Sequence, residues 1–348
     1  MNTSILNRFS ILAKWRLALL AIAMAGLWYL ATPAVLSSEE QLLWDRVRAA
    51  QLHMAHWRES KASATPLEYD PWQCGLIGVE WSMTTTTLGD LAAKRTACKP
   101  VWAVQFLRWF EELQLKPGDN IVIFSSASFP GLLLSAISAA EAMELNPLLV
   151  VSLGASTWGA NDPDNLWPIL AREMRRGGFI RKQADYYTLG GEAESGLGLT
   201  PEGKTLLRKV VVDSNIKLVI ADNLQDMIAR KVQLLEMHQP GLFINIGGSH
   251  ANMGDDDQIL KLPPGLVTGN KKTDAGNGVI GFAIENDIPV IHMLNLKAIS
   301  NKVGITYDSP PRKIAPTKVS SLWSILGVVL FVSVMWTHRR WELESATD

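Results

Sequence analysis

Ser156, Asp222 and His292 lie close to the ends of apolar, strand-like runs. They occur in the Ser, Asp, His order that α/β-hydrolases use. In that scheme His292 takes the proton from Ser156, and Asp222 holds the imidazole in the correct tautomer. The segment Gly154-Ala155-Ser156-Thr157-Trp158-Gly159 reads G-x-S-x-x-G, one residue longer than the G-x-S-x-G elbow. The competing reading makes His292 a core or supporting histidine beside an apolar strand.

Polar and glycine-rich clusters follow nearly every expected strand end. Glu80 closes the first, followed by Thr84, Thr85 and the pair Lys94-Arg95. Ser126 and Ser128 follow the second, Thr157 and Asn161 the third, Gly247-Gly248-Ser249-His250 the fifth and Asn295 the sixth. Hydroxyls and backbone N–H groups at helix starts favour carboxylate or phosphate groups. Taken singly, such residues cap helices and close turns. Together on one rim they predict a shared ligand pocket.

Other chemistries find little support. There is no G-x-x-x-x-G-K-[ST] loop and no G-x-G-x-x-G after the first strand, so no nucleotide or other cofactor is expected. No metal site is expected either. Asp255-Asp256-Asp257 reads as a solvated loop, His53 and His56 as solvated helix residues, and two cysteines alone cannot form a structural zinc site. Cys74 and Cys98 form either a disulfide or a buried pair of free thiols. Lys and Arg number 33 against 34 Asp and Glu, with no basic stripe, which argues against nucleic acid as a partner.

The elements that must position these groups alternate. Apolar runs occur at Leu76–Trp81, Asn120–Phe124, Leu148–Leu153, Lys217–Ile220, Leu242–Ile246 and Ile288–Met293. Helical patterns separate them at Pro100–Leu115, Pro130–Leu145, Leu166–Gly177, Pro201–Val212 and Leu224–Met237. The alternation predicts an α/β fold, a layered and mostly parallel sheet flanked by helices. Continuous apolar runs fit strands covered on both faces.

Charge-free stretches at Leu17–Leu36 and Val319–Trp336 predict a transmembrane helix at each end, since about 20 apolar residues cross a bilayer. A cleaved signal peptide and a buried core helix are the competing readings. Arg8, Lys14 and Arg16 precede the first stretch, and His338, Arg339 and Arg340 follow the second. Basic flanks at both outer ends place the N-terminus (1–16) and tail (337–348) in the cytoplasm. The expected order is a span at 17–36, a stalk helix and linker at 37–75, an extracytoplasmic α/β domain at 76–307, a Pro-containing linker at 308–318 and a span at 319–336. The expected location is a bacterial plasma (inner) membrane, crossed twice.

Several stretches carry a family resemblance. They are Ile77-Gly78-Val79-Glu80, Ala93-Lys94-Arg95-Thr96, Ser128-Phe129-Pro130, Ser156-Thr157-Trp158-Gly159-Ala160-Asn161, Asn245-Ile246-Gly247-Gly248 and Pro289-Val290-Ile291-His292. Together, over roughly residues 76–308, they resemble the poly-gamma-glutamate system protein family, departing from its pattern near Ser126-Ala127 and in the proline segment 308–318. The resemblance implies a pathway and no catalytic residues. It points to bacterial poly-gamma-glutamate biosynthesis and export, as for a capsule. The partners it implies are poly-gamma-glutamate or its glutamyl segments and other subunits of a synthase/export complex, alongside the membrane. Two functions are expected from it: an anchored accessory component that binds or guides the polyanion, or a serine-dependent hydrolase or transferase acting on gamma-glutamyl bonds.

Overall fold

Apolar runs bounded by capped helices pair into one twisted sheet, here in a computed structural model that describes residues 11–31, 35–268, 274–316 and 321–344. Its strands are β2 (Asn120–Ser126), β3 (Asn146–Ser152), β5 (Tyr186–Thr188), β6 (Lys217–Leu218), β7 (Leu242–Ile246), β8 (Gly265–Val267) and β9 (Val290–Met293). They lie in the order β6-β5-β3-β2-β7-β9-β8, all parallel except the edge strand β8. A separate parallel pair joins β1 (Thr85–Thr87) to β4 (Ala155–Ser156).

Side chains of β2 alternate between two cores. Ile121 and Ile123 enter one apolar cluster, Val122 and Phe124 the other. The first cluster is covered by α2 (Ser38–Ser60), α4 (Val101–Glu112), α5 (Pro130–Ala142), α6 (Trp167–Arg176) and α7 (Pro201–Ser214). The second is covered by α8 (Leu224–His238), α9 (His250–Met253) and α10 (Val279–Glu285). Burial on both faces explains why these strands read as continuous apolar runs.

From β2 the chain builds outward through β3, β5 and β6, then returns to β7 on the other side of β2. The connections therefore reverse direction between β2 and β7. Ligand crevices of open α/β sheets form at the carboxyl ends of strands at such a point.

Two expectations need correction, and one open alternative is decided. Residues 37–75 do not begin with a free stalk: α2, opened by a Ser37–Glu40 capping box, buries Leu43, Val47, Ala50 and Met54 in the first core. Leu76–Trp81 is not a strand, although Leu76 and Ile77 are buried; Gly78 lies where a Cβ would fall 1.9 Å from the Gly159 carbonyl, so two backbones cross there. Cys74 and Cys98 are free buried thiols, and burial next to Cys98 pushes the Cys74 thiol well above its ordinary value.

The terminal segments form a second unit, in which α1 (Ile11–Ala31) packs on α12 (Ser321–Glu344) with Gly327 close to Met24 and Leu27. Among the described residues no helix is long and apolar enough to cross a membrane. Helix α1 takes in Lys14 and Arg16, so its charge-free part runs only from Leu17 to Ala31. Helix α12 starts at Ser321 and carries His338, Arg339, Arg340, Glu342 and Glu344 in its last turns. Both apolar parts fall short of about 20 residues. The expected spans at 17–36 and 319–336, and with them the two-pass placement in a bacterial plasma membrane, are overturned. Residues 1–10, 32–34, 317–320 and 345–348, on which parts of those expectations fell, lie outside the described residues.

Candidate active site at the sheet switch point

The loops leaving β2 and β7 face each other across the switch point and line a cavity of about 440 Å³. Ser126 and Ser128 come from the first loop, Gly248, Ser249 and His250 from the second. Gly247 turns with φ of 88°, and a Cβ there would stand 3.1 Å from Ser126 Cβ. The β3 end adds Ser152, Gly154 and Ser156, the loop after β5 adds Gly191, Glu192 and Glu194, and Leu294 follows β9.

The cavity's candidate reactive pair is one that nothing in the sequence spacing announces. Helix α3 (Leu91–Ala97) starts at Asp90, whose carboxylate accepts the Ala92 N–H and caps it. Lys94, one turn in, donates from Nζ to Ser156 Oγ at 2.6 Å and to the Ser128 carbonyl at 2.6 Å. Its ammonium also sits 3.8 Å from the centre of the Phe129 ring. Only 3 % of Lys94 is exposed, and among the described residues no carboxylate lies within ion-pair distance of Nζ. A buried, unpaired ammonium loses its charge more easily than it loses water. Burial accordingly pulls Lys94 down to about 7, against weaker upward pulls from Cys98 and Asp90. Near neutral pH a large share of the protein carries a free amine lone pair against a serine hydroxyl.

Ser156 is held from three sides. Its N–H donates to Ser128 Oγ (2.9 Å), which in turn accepts from Ser126 Oγ (2.8 Å). The Gly89 N–H donates to Thr157 Oγ1 (2.6 Å), and that hydroxyl donates back to the Gly89 carbonyl (2.9 Å), fastening the β1–α3 turn over the serine. A Cβ on Gly89 would stand 2.9 Å from Ser156 Oγ, 2.9 Å from the Thr157 carbonyl and 3.1 Å from Lys94 Cε. Gly89→Ala should therefore cost about 1–3 kcal/mol through overpacking. It should slow reaction of Ser156 with a serine-directed reagent on the order of 10- to 100-fold, because small misplacements are expensive in reacting geometry. Labelling at the wild-type rate would show that the turn can yield.

A second buried charge cluster supports the far wall. Lys231 Nζ on α8 lies 2.5 Å from Glu194 Oε1 and donates to Asn252 Oδ1 (2.9 Å) and Ser249 Oγ (3.2 Å). Glu194 also accepts from Ser249 Oγ and from Thr188 Oγ1 (2.7 Å). Burial pushes the Glu194 carboxyl up, but the Lys231 charge and these donors outweigh it, so its pKa is lowered and it stays ionised. Burial likewise draws Lys231 below its ordinary value while Glu194 holds it up.

The proposed Ser156–Asp222–His292 triad is not formed. Ser156 is engaged by Lys94, and Asp222 lies exposed after the outer strand β6. His292 sits inside β9, its Nδ1 3.2 Å from Asn245 Nδ2, and burial pulls it down to about 4. Strands β6 and β9 are five places apart in the sheet, on the order of 24 Å at about 4.8 Å per strand. A correct order along the chain thus ended at opposite sides of the sheet.

Of the expected ligand-binding residues, Lys94, Ser126, Ser128, Gly248 and Ser249 line the cavity together with Ser156. The others brace it or lie apart. Asn161 ties Val79 and Thr85, and its carbonyl accepts from Thr84 Oγ1. Thr157 holds Gly89, Gly247 donates its N–H to the Met293 carbonyl, and Asn295 caps α11 (Leu296–Val303). Arg95 turns away to the carbonyls of Glu68 and Tyr69 and to Asp308, and Glu80 is exposed. His250, which follows Ser249 in the fifth cluster, also lines the cavity, but sequence reasoning does not reach Asp90, Glu192, Glu194 or Lys231. Only Lys231 left a trace in the sequence, as a charge on the apolar Met227–Leu235 stripe of α8.

Protein-family models, curated proteins and solved structures contain no match to this chain, so the chemistry of the cavity rests on its own residues.

Proposed function

We propose that the protein is a serine-dependent acyl hydrolase or transferase in which Ser156 is the nucleophile and Lys94 its base. One observation carries the reading: the buried Lys94 Nζ, unpaired with any carboxylate among the described residues, 2.6 Å from Ser156 Oγ. The neutral amine takes the Ser156 proton as Oγ bonds to the substrate carbonyl carbon. When the tetrahedral adduct collapses, the Lys94 ammonium returns that proton to the leaving amine, and the acyl group remains on Oγ as an ester. Water, or an acceptor amine, then adds to the ester with Lys94 again as base, releasing the acid or the transferred amide and restoring the hydroxyl.

The resemblance to the poly-gamma-glutamate system family supports gamma-glutamyl amides as the bonds acted on, within a route that makes or trims the polymer beside other subunits of that machinery. A purely accessory role in guiding the polyanion draws less support. The cavity rim carries the carboxylates of Asp90 and Glu192, and burial draws Lys94 down to about 7.

A fluorophosphonate or β-lactone probe should label Ser156 in the full chain, and Ser156→Ala should remove the labelled peptide while leaving the fold intact by circular dichroism. Hydrolysis of gamma-glutamyl anilides should disappear with it. Labelling that persists in the alanine variant, or an unlabelled and inert wild type, would end the proposal.

A further inference from the structure

We infer that the cavity accepts an acyl residue bearing a free ammonium group, so that the protein acts at the amino-terminal residue of its substrate and not within a polyanionic chain. This rests on the Ser156–Lys94 reading and deepens it.

The charge inventory of the cavity points this way. Four of its lining residues are charged types: Lys94, Asp90, Glu192 and Glu194. Glu194 is neutralised by Lys231 at 2.5 Å. Asp90, at the rim, accepts from the Ala92 N–H and from the Tyr307 hydroxyl at 2.6 Å. The Glu192 carboxylate is exposed and meets no donor among the described residues. A ligand therefore meets net negative charge, with one carboxylate free to accept an ammonium. Interior residues of a gamma-linked chain present only carboxylates, and like charges brought together reject a partner.

Glu192 is not on a loose loop. The next residue, Ala193, donates its N–H to His250 Nδ1 at 3.2 Å, and the one after, Glu194, is locked to Lys231, Ser249 and Thr188. Ala193 and Glu194 both adopt left-handed backbone, φ of 52° and 55°, a strained turn that persists only where its surroundings hold it. The Ala193 contact also sets the histidine. A backbone N–H can only donate, so Nδ1 presents its lone pair and the neutral ring carries its proton on Nε2. Nε2 has no partner among the described residues, and His250 lines the same cavity. One rim thus offers an acceptor for an ammonium and a donor for a carboxylate, the two groups of an amino-acid end. A volume of about 440 Å³ suits such an end better than an extended polymer.

The test compares gamma-glutamyl-p-nitroanilide with its N-acetylated counterpart on the full chain, in wild type and in Glu192→Gln. We expect kcat/KM to favour the free amine by about fivefold, the upper worth of one exposed ion pair. Glu192→Gln should bring the ratio to within about threefold by raising KM for the free amine with kcat little changed. Calorimetric binding of the two compounds to Ser156→Ala should show the same preference without turnover. Equal handling of the two substrates, or a ratio indifferent to Glu192→Gln, overturns the inference. If Ser156 is labelled by the serine probe and both substrates react alike, this inference fails alone. An unlabelled Ser156 with neither substrate turned over removes the catalytic reading, and this inference with it.

Discussion

Replacing Lys94 by Met should inactivate the protein and stabilise it. Removing a general base lowers acyl transfer by about 10²- to 10⁴-fold. Ser156→Ala should cost about as much, and the double variant little more, because the two act as a unit. The stability change has the opposite sign. Lys94 drops from 10.5 to about 7 on folding, equivalent to about 5 kcal/mol of penalty on its charged form. Its folded value lies below the unfolded one, so between about pH 7 and 10.5 the unfolded chain holds the extra proton. Stability therefore rises with pH through that window, and the penalty is complete below pH 7. A methionine of similar length fills the site without it. Lys94→Met should be more stable than wild type by about 1–4 kcal/mol at pH 6, with the margin shrinking as pH rises. Denaturant melts at pH 6 and pH 9 measure this. Wild-type labelling of Ser156 should rise through about pH 7, where an ordinary lysine would place the limb near 10.5. A variant that labels normally, or one destabilised equally at both pH values, contradicts the assignment.

Lys231→Met should do the reverse. It leaves the Glu194 carboxylate, 1 % exposed, with hydroxyl partners but no countercharge. Breaking a buried pair from one side costs about 3–5 kcal/mol, or roughly 10 °C in Tm for a domain of this size. Glu194→Gln together with Lys231→Met removes both charges and should recover most of that loss. The asymmetry between single and double variants is the signature: a double variant as unstable as the single would mean that the pair contributes through packing and not through charge. Because Glu194 anchors the loop bearing Glu192, the single variant should also raise KM before it affects Ser156 labelling.

Much of the framework was legible in local chemistry. Helices α5 and α7 begin at Pro130 and Pro201, as proline at the first helical turn predicts, with Thr200 capping the latter. Strands β2, β3, β7 and β9 fall on the expected apolar runs because burial on both faces writes itself as continuous hydrophobicity. Strands β5 and β8 escaped notice at three residues each, and α3, which carries Lys94, is a seven-residue helix with a basic last turn and little periodicity to read. The terminal apolar stretches misled because apolar composition alone does not give a span: among the described residues no helix is both long and apolar enough to cross a membrane.

The chain by itself determined the layered α/β sheet, its helix starts, and the serine- and glycine-bearing loops at the strand ends, since each depends on neighbours within one or two turns. Tertiary structure alone decided which of those loops meet. Strand order set β6 far from β9 and dissolved the Ser–Asp–His arrangement, while folding α3 against β4 brought Lys94 to Ser156 from 62 residues away. It also removed the water that would have kept that lysine charged, and a residue's solvent is a property of the folded molecule and not of its place in the sequence.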